Sequence, residues 1–582
     1  MLDFLAKLRD SKKDDEDALV AINEIENEIN EKKYGLVWEE HSEEVDEMMV
    51  DNVPILLEDK SREITKAGND SYNFLIEGDN LHSLKLLNKT HHEKIDVIYI
   101  DPPYNTGNGD FIYDDKIVGS DDGYKHSKWL SFMEKRLSVA KELLSNQGVI
   151  YISIDDNESS QLKMLCDSVF GEQNFINLIT VKTKTSSGAS GGGEDKRLKK
   201  NNEYLLIYAK ERYNAKINKP LERNKISDYI LEHKENGVGF YYTRILEDFG
   251  QKELVAERDG LKIYKHSGYS FSTVSEKMKN ENLTLDEVYA KYFDRIFMVT
   301  NAQTSLLAKV NNSFPDSGQL LSYDYIPTSG KFKGTEISKY VWNKTLVVWL
   351  KDSATLEDDF VYKNNQLGTL WSDISYGRLD LQGDVKFKNG KKPVDLVKRV
   401  ISMSSNKDSI ILDFFAGSAT TGEAVLEANK DDGGNRRFIV CTNNENNICT
   451  NVAYPRLSTV ISGKRKGGST YSDGIAANLK YYKTEFVAKD SETLVDDLIA
   501  HTDEMIQLEY GIQIDKDKYI SVLTDEEADE LFKDWNKYPN IKAIYVSRHV
   551  VLNAEQRKLF YTKDVYIIPD YYYRQELREV GE

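Results

Sequence analysis

The sequence predicts an α/β fold: a doubly wound, Rossmann-like sheet, discontinuous in sequence, with an insert and a C-terminal α/β domain. Three observations predict it. Apolar, β-branched runs such as Ile95–Ile100 stop abruptly at polar residues. Stretches with apolar residues every three or four positions separate those runs. The rhythm then breaks near 211 and resumes near 391. Strands alternating with helices imply a parallel sheet with right-handed crossovers. Five segments are expected: an acidic helical arm (1–60), a first half of the sheet (61–210), an insert (211–350), a second half (351–480) and a C-terminal α/β domain (481–582).

In order, Ile22, Ile25 and Ile29 follow helical spacing among Glu and Lys. They make the arm either a solvated helix or a contact for a partner. Tyr72–Ile76 reads as a strand that runs into Glu77, Gly78, Asp79 and Asn80, and a helix begins at Ser83. Ile95–Ile100 is a buried strand ending at Asp101. Residues 127–146 form an amphipathic helix through Trp129, Met133, Leu137, Ala140 and Leu144, with Gly148 just past its end. Gly148–Ile154 and Tyr204–Tyr208 are further strands, separated by the Gly/Ser stretch 186–193. After the insert come a helix (394–403), the strand 410–414, a Gly/Ser/Thr turn, a helix (421–428) and the strand 438–442. Short strands are expected at 519–523, 543–546 and 565–568.

The formal charge of −20 argues against a nucleic-acid partner until it is resolved along the chain. Residues 1–60 carry 19 acidic and 7 basic side chains, and residues 481–582 carry 22 and 13. The block 61–480 has a net charge of +1 and can present a basic face to phosphates. No apolar run approaches the ~18 residues of a membrane span, and no secretion signal is recognisable. Three cysteines without CxxC spacing suit a reducing cytoplasm and argue against a structural metal.

Two segments carry chemistry. Asp101-Pro102-Pro103-Tyr104 follows a buried strand, and ligands of open parallel sheets bind beyond the carboxyl ends of strands. The prolines fix φ and leave their carbonyls as acceptors. A carboxylate beside a carbonyl suits an NH2 group, and the tyrosine offers a stacking face. The competing reading is an ordinary proline turn. The second segment, Asp413-Phe414-Phe415-Ala416-Gly417-Ser418-Ala419-Thr420-Thr421-Gly422, lies between strand and helix. There, small residues let a ligand approach the backbone. A plain βα turn is the alternative. Asp79 at a third strand end could accept from an adenine amine. Asn443, Asn444 and Glu445 at a fourth could hold ribose hydroxyls or simply be solvated.

Together DPPY, the preceding EGDNLHSLKLL and the later DFFAGSATTGEAV resemble the beta group of S-adenosylmethionine-dependent DNA amino-methyltransferases. The flanking IYIDPPYNTGNGDFIYDD, GVIYISIDDNE and NNENNICTNVAYPRL are similar to the Mod subunit of Type III restriction-modification systems. The resemblance is dense over 70–210 and 365–460. It implies that Asp101, Pro102, Pro103 and Tyr104 hold and stack a flipped adenine whose N6 receives the methyl. Asp413, Phe415, Ala416, Gly417 and Ser418 would line the methionine side of S-adenosylmethionine, with Lys392 and Pro393 near the same pocket. Asp79 and Asn80 would meet its adenine, and Asn443 or Glu445 its ribose. Ala419 departs from the glycine of the common pattern. The partners implied are double-stranded DNA, a second copy in a homodimer and a restriction (helicase-endonuclease) subunit.

The insert would read the target sequence or serve only as scaffold. Lys182, Lys184, Lys196, Arg197, Lys199 and Lys200 are expected on a DNA-facing loop. No GxxxxGK[ST] and no nuclease motif is recognisable, so methylation would be this chain's chemistry. Alternatives are an N4-cytosine or RNA amino-methyltransferase, and a non-catalytic scaffold that docks DNA or a partner.

Overall fold

The computed structural model describes residues 38–582, apart from 108–110, 114–115, 120–121, 185–197, 259, 303, 315–317, 329–331, 388–389, 569–571, 574–577 and 579–582. The helix expected around Ile22–Ile29 and the residues Lys196 and Arg197 lie outside the described residues. The chain divides into two compact units. One comprises Met1–Asn218 and Thr369–Glu582, the other Lys219–Gly368.

The first unit is built on an eleven-stranded sheet. Its strands are β1 (Asn52–Glu58), β2 (Tyr72–Glu77), β3 (Ile95–Ile100), β4 (Leu144–Ile154), β5 (Phe175–Lys182) and β6 (Asn202–Ala209), then β7 (Ile410–Asp413), β8 (Arg437–Thr442) and β9 (Asn478–Ala488). The order is β1–β9–β2–β8–β7–β3–β4–β6–β5, with Leu370–Trp371 beyond β5 and Ile64–Thr65 on β9. From β9 to β4 every pairing is parallel. The flanks are not: β1 runs antiparallel to β9, and β6 runs antiparallel to both β4 and β5. The expected all-parallel sheet is therefore a mixed one. β6 returns alongside β5 in the opposite direction, with Thr180 opposite Tyr204.

Helices α1 (Asn80–His91), α2 (Lys125–Leu143), α3 (Ser159–Phe170), α4 (Val394–Ser404), α5 (Thr420–Asp432) and α6 (Tyr454–Ser462) belong to this unit. Two apolar clusters form the core. One gathers Trp129, Met133 and Leu137 of α2 with Ile98 and Ile100 of β3. The other gathers Val397 and Ile401 of α4 with Val97 and Tyr99 of the same strand. Alternate residues of β3 thus feed both clusters, as expected of a strand buried on both faces.

Three expectations shift. Residues 52–58, assigned to a helical arm, are a strand with Val53, Ile55 and Leu56 buried; a helix covers only Glu44–Asp51 among the described residues of that segment. α2 ends at Leu143, not at 146, and β4 begins at Leu144, so Gly148, expected to open that strand, lies inside it. A Cβ on Gly148 would stand 2.8 Å from the Ile95 carbonyl oxygen, so close backbone approach at the irregular start of the β3–β4 pairing excludes any larger residue. The division expected at 480/481 falls inside β9, a central strand of the first unit. Beyond it, Tyr519–Val522, Ala543–Ser547 and Asp564–Ile568 form a separate parallel sheet.

The second unit starts at 219 and ends at 368, where 211–350 was expected. The strand Leu221–Lys225 pairs with Phe360–Gln366, so residues past 350 close the unit. Its larger sheet has eight antiparallel strands, and Phe271, Phe297, Trp342 and Trp349 are ring neighbours within it.

Candidate active site

β3 and β7 are adjacent and parallel, with Ile411 beside Val97 and Leu412 beside Ile98. Asp101 and Asp413 therefore leave the sheet at the same edge. Asp101 directly follows β3 and Asp413 closes β7, so a mostly buried strand fixes the backbone of each at the carboxyl end of the sheet. Hydrogen bonds order the loop after β3. The Pro103 carbonyl accepts the indole N–H of Trp129 at 2.7 Å. Asn105, with φ +57°, donates its amide to the Lys125 carbonyl (3.1 Å) and to Glu158 Oε1 (2.5 Å). Asn is among the few side chains that accept this left-handed backbone readily.

Three polar groups converge on Asp101. Lys392 Nζ lies 3.2 Å from Asp101 Oδ1, donates to the Tyr104 hydroxyl oxygen at 2.6 Å and reaches Glu203 Oε2 at 2.8 Å. The Tyr104 hydroxyl donates to the same Glu203 oxygen at 3.2 Å. Although Asp101 Oδ1 is within ion-pair range of Lys392, it is buried and accepts no well-directed hydrogen bond from the described residues. Burial lifts the Asp101 carboxyl to about 6, with Lys392 opposing the rise and Glu203 adding to it. Surrounded by carboxylates, the Lys392 ammonium is held above its ordinary range despite its burial.

The turn after β7 is fixed just as densely. Asp413 Oδ1 accepts the Phe415 N–H at 3.0 Å, and Oδ2 accepts the Thr421 hydroxyl at 2.5 Å. Burial, chiefly, raises this carboxyl to about 7. The Ala416 N–H reaches the Cys441 carbonyl of β8 at 3.0 Å. Ala419 adopts φ +58°, where glycine would be at ease, and its methyl is fully buried in the core. Arg456 of α6 clamps the turn: Nη1 meets Ser418 Oγ at 3.0 Å and Thr420 Oγ1 at 2.6 Å, while Nε holds Glu423 at 2.5 Å.

The other candidates lie along this edge. Asp79 caps α1 by accepting the Leu81 N–H at 2.7 Å. Asn80 donates to the Phe414 carbonyl at 3.0 Å and accepts from Arg136 Nε at 2.5 Å. Gly78 N–H reaches the Thr442 carbonyl at 3.0 Å, which sets Asn443, exposed at the end of β8, next to Asp79. Glu445 is exposed as well. Lys392 faces Asp101, not the turn, but its carbonyl accepts from the Thr420 hydroxyl at 3.4 Å. Pro393 caps α4.

The basic stretch is less uniform than its sequence. Lys200 is engaged with Asp155 at 2.5 Å and with Asp156. Lys184 is exposed, and Lys182 and Lys199 are partly exposed.

A ligand could lie against the turn at Gly417. Its φ is +48°, and a Cβ there would meet Phe387, the Phe415 carbonyl and Ile448 no closer than 3.9 Å. The Asp79 carboxylate, 3.5 Å from Arg136 Nη2, and the exposed Asn443 lie at the same edge.

Residues 95–453, more than half of the sequence, match the family described as DNA methylase (N6_N4_Mtase). The chain belongs to this DNA methylase family. Among curated relatives of the methylase, a Haemophilus influenzae protein named "Probable type III restriction-modification enzyme HindVI Mod subunit" is 34% identical over 404 residues. That match covers 69% of this chain and 52% of the relative, so the chain spans about half the length of that protein. The EcoPI Mod subunit of Escherichia phage P1 is 28% identical over 567 residues, 90% of this chain and 80% of the relative. The Type II methyltransferase M.KpnI of Klebsiella pneumoniae is 29% identical over 418 residues, 70% and 90% respectively.

The methylase site contains residues that the linear reading passes over. Glu203 precedes a recognisable strand. Because β6 runs antiparallel to β4, with Tyr204 opposite Ile154, the start of β6 lies at the edge where β3 ends. Trp129 and Glu158 were read as a core residue and as part of a flanking motif. Among the described residues no group of three His, Cys, Asp or Glu could hold a metal ion, and no helix is long and apolar enough to cross a membrane.

Proposed function

We propose that this methylase transfers the methyl group of S-adenosylmethionine to N6 of an adenine flipped out of double-stranded DNA. It would serve as the modification subunit of a Type III restriction-modification system. The observation that carries the reading is the union of its two distant segments. Lys392 meets Asp101 and Tyr104 with its side chain and Thr420 with its carbonyl, so the acceptor claw and the Phe415–Ser418 turn share one edge.

S-adenosylmethionine supplies an activated methyl on a sulfonium. Asp413, Phe415, Ala416, Gly417 and Ser418 would hold its methionine side, Asp79 and Asn80 its adenine, Asn443 or Glu445 its ribose. The chain's own task lies with the acceptor amine, whose lone pair is delocalised into the base. Asp101 Oδ1, buried beside the Lys392 ammonium, would accept one amine hydrogen. The Pro102 carbonyl would accept the other, since the Pro103 carbonyl is taken by Trp129. Gripping both hydrogens turns the lone pair towards the methyl donor and places negative charge beside the nitrogen as it becomes positive. Tyr104, anchored at its hydroxyl, keeps its ring for stacking and offsets part of the few kcal/mol that base flipping costs. The unit Lys219–Gly368 would read the target sequence, and Lys182, Lys184, Lys196, Arg197 and Lys199 would meet phosphates. A homodimer, a restriction-subunit partner and a cytoplasmic location complete the reading.

The test is incubation with labelled S-adenosylmethionine and DNA, followed by nucleoside analysis. Labelled N6-methyladenine is expected. Labelled N4-methylcytosine would replace the base assignment, and label in neither nucleoside would refute the activity.

A further inference from the structure

We propose that Glu158 carries a proton and forms, with the side-chain amide of Asn105, a closed acid–amide pair that fixes the loop presenting Asp101 and Tyr104. This deepens the function proposed above and rests on it for the role of that loop, though not for the pair itself. Asn105 follows Tyr104 directly, is fully buried and holds φ +57°. Its Nδ2 donates both hydrogens, to Glu158 Oε1 at 2.5 Å and to the Lys125 carbonyl at 3.1 Å. Turning the amide over would face its oxygen with those same two acceptors, so the orientation is set by chemistry. Asn105 thereby staples the loop to the starts of α2 and α3, because Lys125 opens α2 and Glu158 caps α3.

Two oxygens are left over. Asn105 Oδ1 and Glu158 Oε2 are both buried without a hydrogen-bond partner among the described residues. They belong to side chains already joined through their other atoms, and each is an acceptor lacking a donor. Native interiors seldom leave such groups unpaired. One proton on Oε2 resolves both at once. The O–H donates to Oδ1, Nδ2–H donates to Oε1, and the two side chains close into a ring of two hydrogen bonds.

The surroundings agree. The Glu158 side chain is fully buried, and burial is the largest influence on its carboxyl, raising its affinity for a proton. The charged or titratable groups that face it are on α2: His126, with Nδ1 2.6 Å from Oε1, and Lys125. Gln161 of α3 approaches the same His126 nitrogen at 3.5 Å. A neutral His126 with its hydrogen on Nδ1 donates to Oε1, so the ring needs no charge on either partner.

The test compares E158Q with E158A. Glutamine reproduces the ring, with Oε1 accepting and Nε2 donating to Asn105 Oδ1; alanine removes it. E158Q is expected to melt close to the parent protein and to lose far less kcat than E158A. E158A is expected to lose kcat by about tenfold or more through a misplaced loop, while its KM for S-adenosylmethionine holds. The infrared difference between parent and E158Q should contain the carbonyl band of a protonated carboxylic acid. E158Q falling as far as E158A in melting temperature and kcat, or a difference spectrum with only carboxylate bands, would overturn the proposal. Should the parent protein transfer no methyl at all, the activity assignment fails, while melting and infrared data still decide the pair.

Discussion

Lys392 is the point at which the electrostatics of the site can be tested most sharply. Its ammonium stands 3.2 Å from Asp101 Oδ1 and opposes the rise that burial imposes on that carboxyl. Ionised Asp101 is the stronger acceptor and alone places negative charge beside the amine nitrogen, so kcat/KM should climb with pH through about 6, the value to which the free enzyme's carboxyl is raised. Replacing Lys392 by methionine keeps most of the side-chain volume and deletes the charge. Coulomb's law at 3.2 Å gives about 1.3 kcal/mol in a water-like dielectric and about 5 kcal/mol at an effective dielectric near 20. At 1.36 kcal/mol per pH unit, the limb should move upward by about 1 to 4 units. Glu203 acts in the opposite sense, so E203Q should move the limb below its parental position. The assay is transfer of labelled methyl to DNA across about pH 5–10.5, which spans the parental and displaced limbs, scored by the midpoint of the limb and not by its height. A limb that stays in place in K392M, or moves down, would refute the role given to Asp101.

The D101A variant should transfer methyl at least about a thousandfold more slowly while calorimetry still registers S-adenosylmethionine binding. Because Asp413 holds the turn through Phe415 and Thr421, D413A should instead weaken that binding, by about ten- to a hundredfold in Kd. W129F removes the donor to the Pro103 carbonyl and should cut kcat by about five- to thirtyfold with cofactor Kd held, measured in the same assays. Neutralising Lys182 and Lys184 together should flatten the slope of log K for DNA against log salt by up to about 1.8, read from titrations at several salt concentrations. K200Q, which breaks pairs with Asp155 and Asp156, should leave that slope nearly unchanged and lower the melting temperature.

Much of this site was written in local sequence. Ile95–Ile100 and Ile410–Asp413 announce themselves as buried strands by continuous apolar content, so Asp101 and Asp413 could be placed at strand ends before any geometry was known. The proline pair and the run of small residues carry their own backbone consequences. Three things are absent from that text. Glu203 reaches Asp101 only because β6 turns back antiparallel, and reversal of a flanking strand leaves no periodic mark. Arg456 and Glu158 act through contacts across 32 to 53 positions, which only packing creates. The start of β4 at Leu144 is hidden as well, because apolar residues keep helical spacing up to that point and a glycine set by backbone crowding looks the same in one dimension as one that follows a helix. Lys200 illustrates the reverse error: a lysine in a basic run looks free until its neighbours in space prove acidic.

The strand order bears on how such a chain can be made. β7 and β8, encoded after residue 409, lie between β2 and β3, encoded before residue 101. During synthesis the early strands emerge with gaps that later ones must fill, and their open edges stay exposed for more than 300 residues of elongation. No nascent or truncated product that stops short of β8 contains a working half, because neither half exists alone. The gap between β2 and β3 closes only once β8 has been made, so the sheet is completed late in synthesis.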